Sequence, residues 1–478
     1  MISYDISDPG FEYDAYSLLK AFYGNEEIKK TVISHEANRG CVAFVAKLPD
    51  GEEISAGASI GDKSDTKNEL KRLIYEKLSG HLGRSLPWGT LTGIRPTKIA
   101  YRLLEDGWER DRIIDYMKET YLCSEVKSRL ATDIALKERR LLQGMESRDG
   151  YSLYIGIPFC PSICLYCSFA SALAGEYEGM MDGYLDALIY EMKEVSSLME
   201  GRRLISIYIG GGTPTSLNEM RLDRLLSAVS GYFDTKNILE YTVEAGRPDS
   251  ITAEKLKIMK DHGVDRISIN PQTMNDDTLL FIGRSHSVSD IYSAYEMARD
   301  MDFKTINMDI ITGLPNEGMK EVRQTAAKIA DMKPDNLTVH SLAVKRSSRL
   351  NIEWEKYKNM LYENSDGIMK TVDEAALAMG MEPYYMYRQK NIAGNLENIG
   401  YSLPGHEGLY NILIMEERVD IVALGAGADS KHIPRQVSGG LDHKAKVERC
   451  ENVKNPALYI ERIDEMIERK RSLYEGRA

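Results

Sequence analysis

The chain has 478 residues, 43% of them apolar and 28% charged, with a net charge of −12 at neutral pH. That is the profile of a globular protein of about three domains, or of one large barrel with additions, at roughly 150 residues per domain. The acidic balance excludes a general nucleic-acid binder, which needs a basic surface to displace counterions. No apolar run reaches the roughly 18 residues of a membrane helix, and residues 1–10 carry Asp5 and Asp8 in place of a basic-then-apolar leader, so the expected location is cytoplasmic.

Residues 41–48 (CVAFVAKL) read as a strand, Pro49-Asp50-Gly51 as a turn and 52–60 as the returning strand. A helix is predicted over 66–81, where Leu70, Leu73, Ile74 and Leu78 share a face. Residues 1–85 are therefore expected to form a small α+β unit. The Gly-, Pro- and Thr-rich stretch 86–97 (LPWGTLTGIRPT) reads as a connector, and helices follow near 110–121 and 125–145, making 86–150 a helical connector. From residue 151 the pattern becomes strand, loop, helix, repeated. Strands are predicted over 152–157, 205–209, 239–245, 266–270, 305–311 and 336–341. They are short, β-branched and mostly apolar on both faces, as parallel strands covered by helices should be. Helices are predicted over 182–199, 221–231, 253–262, 288–301 and 320–332. Six βα units in series predict an α/β fold built on a partial TIM-type (β/α)6 barrel over 151–345. An α+β extension precedes it, and an α/β extension, 346–478, follows and covers the substrate. In such a barrel the chemistry sits at the C-terminal ends of the strands.

Six cysteines stand at 41, 123, 160, 164, 167 and 450. This is no disulfide framework and points to a reducing compartment. Residues 158–169 read PFCPSICLYCSF, a C-x3-C-x2-C pattern on the loop after the first barrel strand. A [4Fe–4S] cluster takes four ligands, so three thiolates leave one iron open to a small ligand. The alternative is a structural zinc completed by a remote His or Cys; the position after strand one of a βα series favours iron–sulfur. Residues 209–215 (IGGGTPT) follow the second strand. Consecutive glycines let backbone approach a ligand and leave amides free to bond it, or make a tight strand-to-helix turn. Glu244 ends the third strand in TVEAGRPD, as a holder of ribose hydroxyls or as a solvated rim residue. Gln272 follows the fourth in SINPQTMN, and Arg284 lies in FIGRSH. Asp309 lies inside the apolar fifth strand, where an acid is costly unless paired; with Arg284 it reads as a structural pair or as a cofactor contact. Lys345, Arg346, Arg388 and Lys390, the last two in the Tyr-rich YYMYRQK, read as a basic barrel mouth or as surface charge.

The segments LYIGIPFCPSICLYCSF, GGGTPT, VEAGRPD, NPQTMN, IGRSH and MDIITGLP together resemble the HemN-like branch of radical S-adenosylmethionine (SAM) enzymes over residues 150–345, and more loosely at 424–430 (LGAGADS). Within the branch, PWGTLTGIRPTK and YMYRQKNIAGNLENIGY resemble the HemZ type of oxygen-independent coproporphyrinogen III oxidase. The resemblance implies a [4Fe–4S] cluster on Cys160, Cys164 and Cys167, with SAM on the open iron and a second SAM site in the family. It places Tyr154 and Tyr166 beside the cluster. It makes Gly211, Gly212, Thr213, Glu244, Gln272, Arg284, Asp309 and Ala343 contacts of SAM, with Tyr154, Gln272 and Arg284 as catalytic residues. The implied reaction starts with reductive cleavage of SAM to a 5′-deoxyadenosyl radical. Hydrogen is then removed from a propionate β-carbon, and loss of CO2 and one electron leaves a vinyl group. Two rounds convert coproporphyrinogen III to protoporphyrinogen IX in haem biosynthesis. Implied partners are a tetrapyrrole substrate with propionates and an electron donor such as flavodoxin or ferredoxin. Two positions depart from the oxidases: Gly156 replaces a histidine, and Phe169 a fourth cysteine. The same scaffold also carries a HemW-like haem chaperone, and radical SAM methyltransferases or haem-opening enzymes, as alternatives.

Overall fold

Alternating apolar residues around a Pro-Asp-Gly turn give the first sheet its centre. The computed structural model describes all residues except 25, 33–39, 94, 144–149, 170, 363, 390–395, 436–445 and 476–478. Strands β1 (Ile2–Ile6), β2 (Ile28–Lys30), β3 (Cys41–Lys47) and β4 (Glu53–Ser59) pair in the order β2-β1-β3-β4. Gly51 takes a positive φ of 93° in the β3–β4 turn, where its amide bonds Leu48 O at 3.0 Å. Helices Glu12–Tyr23 and Lys63–Leu82 complete the layer. Asp62 caps the second by accepting from Ser64 N, and Gly83 ends it in the left-handed region. Leu18, Phe22, Phe44, Leu70, Ile74 and Leu78 make a core confined to residues 2–86. The strand β1 and helix Glu12–Tyr23 are additions to the sequence reading; Asp5 and Ser3 interrupt the apolar run of β1.

A second, continuous core extends from Trp88 to Tyr474. It contains the connector helices Thr97–Glu105, Arg110–Tyr121 and Glu125–Leu142. Trp88 Nε1 donates to Glu397 Oε2 at 2.7 Å, and Lys127 Nζ to Glu397 Oε1 at 2.6 Å. Arg388 corrects an expectation here. It is buried, with its guanidinium 5.8 Å from the centre of the Trp88 ring and donating to Leu91 O at 2.7 Å. It is a strut between connector and C-terminal strand, not a cation waiting for a substrate. Lys390 lies outside the described residues.

The remaining strands are β5 (Gly150–Ile157), β6 (Phe159–Cys160), β7 (Ala172–Leu173), β8 (Arg203–Gly211), β9 (Glu240–Gly246), β10 (Arg266–Ile269), β11 (Thr305–Thr312), β12 (Asn336–Ser341), β13 (Glu382–Tyr387), β14 (Asn398–Ser402), β15 (Asp420–Leu424), β16 (Asp429–His432) and β17 (Glu448–Glu451). The six expected barrel strands are neighbours in sequence order, β5-β8-β9-β10-β11-β12, all parallel. The helices between them match expectation to within two residues at each end, for example Val288–Asp300, whose Ser287 and Asp290 form a capping box. The C-terminal segment extends both edges: β15 joins β5 in parallel, and β14 joins β12 antiparallel. Among the described residues this gives one open eleven-stranded sheet and not a closed barrel.

The chain's last helix, Ile463–Tyr474, is tied to the barrel by a buried ion pair. Lys470 Nζ lies 2.7 Å from Glu191 Oε1. Glu191 also accepts from Gly425 N, Asn452 Nδ2 and Tyr459 Oη.

Candidate functional site

Strand β5 delivers the cysteine loop to the C-terminal end of the sheet, and the short β6–β7 pair closes it. The loop is held by contacts that need no metal. Leu165 N donates to Ile282 O at 2.9 Å, Ser162 Oγ to Gly283 O at 2.6 Å, and Leu350 N to Leu165 O at 2.9 Å. Leu165, Ile282, Leu314, Leu342 and Leu350 form a small apolar core beneath it. Cys160 and Cys164 are buried and Cys167 is half-buried. Burial pushes the thiols of Cys160 and Cys167 up, so binding of iron there displaces protons. The other three cysteines are elsewhere: Cys41 in β3, Cys450 in β17, and Cys123 donating to Trp88 O at 3.2 Å. Among the described residues no three His, Cys, Asp or Glu side chains, those of the loop cysteines included, are already gathered around a single point. Phe169, two residues after Cys167, is 76% exposed.

The glycines of IGGGTPT serve close approach. A Cβ on Gly212 would stand 2.7 Å from Phe159 O, inside any real contact, and 3.0 Å from Cys160 Sγ. The expectation of free amides is not met: Gly212 N donates to Ile157 O at 2.7 Å and Thr213 N to Phe159 O at 2.8 Å. The turn is consumed in continuing the β5–β8 ladder under the cysteine loop, and Thr213 Oγ1 lies 3.5 Å from Cys160 Sγ. Gly156 is equally committed. Its carbonyl accepts from Tyr184 Oη at 2.7 Å, and a Cβ on Gly425 would lie 2.4 Å from that oxygen. The 424–426 backbone thus packs against Gly156.

Inside the sheet's curve, the rings of Tyr154, Tyr208 and Tyr410 stack with centroids 4.5–6.2 Å apart. Tyr208 Oη donates to Glu244. Burial pushes the Glu244 carboxyl up to about 7, Asp309 adds to the rise, and the Tyr208 bond opposes it. Asp309 is not paired with Arg284, as the sequence had suggested. Asn307 Nδ2 donates to it at 2.8 Å, and His340 Nε2 stands 3.8 Å away. Burial alone would raise this acid, but His340 and Asn307 outweigh it and hold it below its ordinary value. His340 in turn meets Tyr387 Oη at 3.3 Å. Arg284 instead donates to Asn270 O at 2.6 Å and faces Tyr166 and Cys164. Ala343 follows β12 at the same end. Tyr208, Tyr410 and His340 are not singled out by the sequence, and Tyr387 enters there only as part of the Tyr-rich YYMYRQK.

Several of these groups are incomplete by themselves. Gln272 sits at φ +68°, a strained value for a non-glycine residue. Its Oε1, Arg284 Nε and His286 Nε2 are buried without hydrogen-bond partners. Buried polar atoms are rarely left so, though others lie elsewhere in the chain, on Glu138 and Tyr241 for example; Arg284 Nε, on a side chain that faces Cys164, fits a polar ligand beside the cysteine loop. A cavity at the opposite, N-terminal end of the strands is different. Its Glu240 accepts from Leu409 N and Tyr410 N, and its Arg266 donates to His406 O. That end of such a fold serves stability.

The radical SAM superfamily profile matches residues 154–329. The chain is 41% identical over 409 residues to the oxygen-independent coproporphyrinogen-III oxidase-like protein HemZ of Bacillus subtilis, covering 84% of this chain and 80% of that protein. This chain belongs to the radical SAM family, among the HemZ-like proteins. Radical SAM proteins use a [4Fe–4S] cluster and SAM. The heme chaperone HemW of Lactococcus lactis is also similar, 32% identical over 277 residues, 58% of this chain and 68% of that one. In fold, this radical SAM chain matches the solved HemN coproporphyrinogen III oxidase of Escherichia coli with a TM-score of 0.52 at 22% identity, over 69% of this chain and 73% of that one. Among the described residues no helix is long and apolar enough to cross a membrane.

Proposed function

We propose that the chain is an oxygen-independent oxidoreductase that converts propionate side chains of coproporphyrinogen III to vinyl groups in the cytoplasm, drawing electrons from a flavodoxin- or ferredoxin-like donor. The observation that carries this reading is the 41% identity to the HemZ protein, which runs through 80% of that protein, with the buried guanidinium of Arg284 facing Cys164 of the cysteine loop in support. When bound, the cluster and SAM supply a carbon radical that takes hydrogen from an unactivated C–H bond. The protein's part is to bind, orient and exclude water. Cys160, Cys164 and Cys167 hold three irons. Gln272 and Arg284 bind SAM's polar groups, Tyr154 and Tyr166 wall the reacting atoms, and Glu244 accepts the ribose hydroxyls. Asp309 and Ala343 complete the SAM contacts. Lys345, half-buried with its amine pushed down by burial, and Arg346 face the substrate propionates. Residues 1–85 and 86–150 stand outside the barrel, and 346–478 cover the substrate.

The Glu244 assignment has a pH signature. The free carboxyl titrates at about 7, and accepting two hydroxyls requires the anion. SAM affinity is therefore expected to rise with pH up to about 7 and then level, falling about tenfold per pH unit below it. Glu244→Gln should flatten the profile. Equilibrium dialysis of SAM against the substrate-free protein checks this, and a wild-type affinity that ignores pH counts against the assignment.

The likeness to the heme chaperone HemW, 32% identical over 277 residues, favours a second reading, a haem chaperone, with Gly156 where the oxidases carry a histidine. Anaerobic incubation with reductant, SAM and coproporphyrinogen III, followed by chromatography, separates the two. Mono- and divinyl products are expected. Tight haem binding and transfer with no vinyl product would replace the oxidase by the chaperone.

A further inference from the structure

We propose that Arg247, clamped by Asp249, sets the reduction potential of the cluster by presenting a fixed buried cation to its Cys164 corner. This rests on the three cysteines holding that cluster. Arg247 follows β9 and its side chain is only 3% exposed. Its Nη1 reaches into the cysteine loop, 2.6 Å from Ser162 Oγ, 3.3 Å from Ser162 O and 4.0 Å from Cys164 Sγ. The other edge of the guanidinium is taken by Asp249 in a two-pronged pair, Nε to Oδ1 at 3.0 Å and Nη2 to Oδ2 at 2.7 Å. Such a fork fixes the plane of the ion as well as its place.

Asp249 is secured from behind. His286, whose side chain is wholly buried, puts Nδ1 3.4 Å from Asp249 Oδ1. Burial alone would raise the Asp249 carboxyl; His286 and Arg247 outweigh it and hold it well below the usual carboxylate range. The acid is therefore ionised at neutral pH. The result is an oriented pair of charges, positive end toward Cys164 and negative end away. Burying a charged pair is a poor route to stability, and pinning Ser162 needs only a neutral donor. A buried charge close to a redox centre acts with little screening. One electron entering the cluster adds one negative charge there and changes no bond. The nearer cation favours that state, and the more distant carboxylate opposes it. Arg284 is a second cation beside Cys164, and it stays in place in the variants below.

Opposite shifts are the signature. In an electron-resonance-monitored titration of the full-length, anaerobically reconstituted protein with dithionite and no SAM, Arg247→Gln leaves the carboxylate uncompensated. It should lower the reduced-to-oxidised ratio at a fixed solution potential about tenfold, which is about 59 mV for one electron. Asp249→Asn leaves the cation uncompensated and should shift the potential the other way. Arg247→Lys should stay nearer wild type than Arg247→Gln. Shifts of the same sign in Arg247→Gln and Asp249→Asn, or no shift in either, overturn the proposal. If Arg247→Gln fails to hold iron, Asp249→Asn decides alone, and a potential at or below wild type overturns it. A wild-type protein without a reducible iron–sulfur signal would instead refute the underlying cysteine assignment, a separate failure.

Discussion

Replacing any one of Cys160, Cys164 or Cys167 by Ala is expected to abolish the iron–sulfur content of the anaerobically reconstituted protein, about four irons and four sulfides in the wild type. The loss is complete because no second set of thiols is near: Cys41 and Cys450 lie in outlying strands and Cys123 is bonded to Trp88. Ala at any of those three positions should leave iron and sulfide unchanged. The folded state should survive the loss of the cluster. The loop is fastened by backbone bonds of Leu165 and Leu350, by the Ser162 hydroxyl and by a small apolar core, none of which involves a cysteine sulfur. Iron and sulfide analysis beside a circular dichroism melt separates the two effects. Stoichiometric zinc with no iron–sulfur absorbance in the wild type would contradict the assignment.

Lys470→Met is expected to destabilise the protein by about 3–5 kcal/mol, because it strands a buried carboxylate. Both Lys470 and Glu191 have fully buried side chains, 2.7 Å apart. With the lysine gone, Glu191 keeps three neutral donors, Gly425 N, Asn452 Nδ2 and Tyr459 Oη, but no counter-charge. The loss is a large fraction of the roughly 5–15 kcal/mol that holds a typical domain folded. Denaturant unfolding measures it. Adding Glu191→Gln to Lys470→Met should recover much of the loss, since removing both charges removes the penalty. A single variant as stable as wild type would show that solvent reaches Glu191. The effect should also reach the site. Gly425 is held by Glu191 and packs on the carbonyl of Gly156 in β5, the strand that carries the cysteine loop.

The centre of this fold was legible because its six parallel strands are covered on both faces. Apolar runs such as 205–209 and 305–311 leave few alternatives to a buried strand, and capped amphipathic helices fall between them. The sheet's edges were not legible. β15 joins β5, and β14 joins β12, across long intervals of chain, so neither pairing leaves a local pattern. The same limit governed the site. The cysteine triplet announces itself by type and spacing, and Glu244 and Gln272 by strand-end position, whereas Arg284 lies between two helices and enters the site through the resemblance. His340 and Tyr387 meet Asp309 only through tertiary convergence. Arg247 and His286 lay in full view, in VEAGRPD and IGRSH, and a charged residue flanking a Pro-Asp turn was the available signal. Arg388 was misread because a basic residue among tyrosines looks the same in sequence whether it faces a substrate or a tryptophan. The glycine run reads in sequence as an approach to a ligand with free amides; in the structure the close approach is to Phe159 and Cys160, and the amides of Gly212 and Thr213 are taken by Ile157 O and Phe159 O.

The central claim is that three cysteines leave one corner of a reducible cluster open to SAM. The most direct measurement is chromatography for 5′-deoxyadenosine after anaerobic incubation of the dithionite-reduced protein with SAM. The wild type is expected to form it, and Cys164→Ala to form none above background. A wild-type protein carrying its full iron and sulfide that yields no 5′-deoxyadenosine would contradict the account.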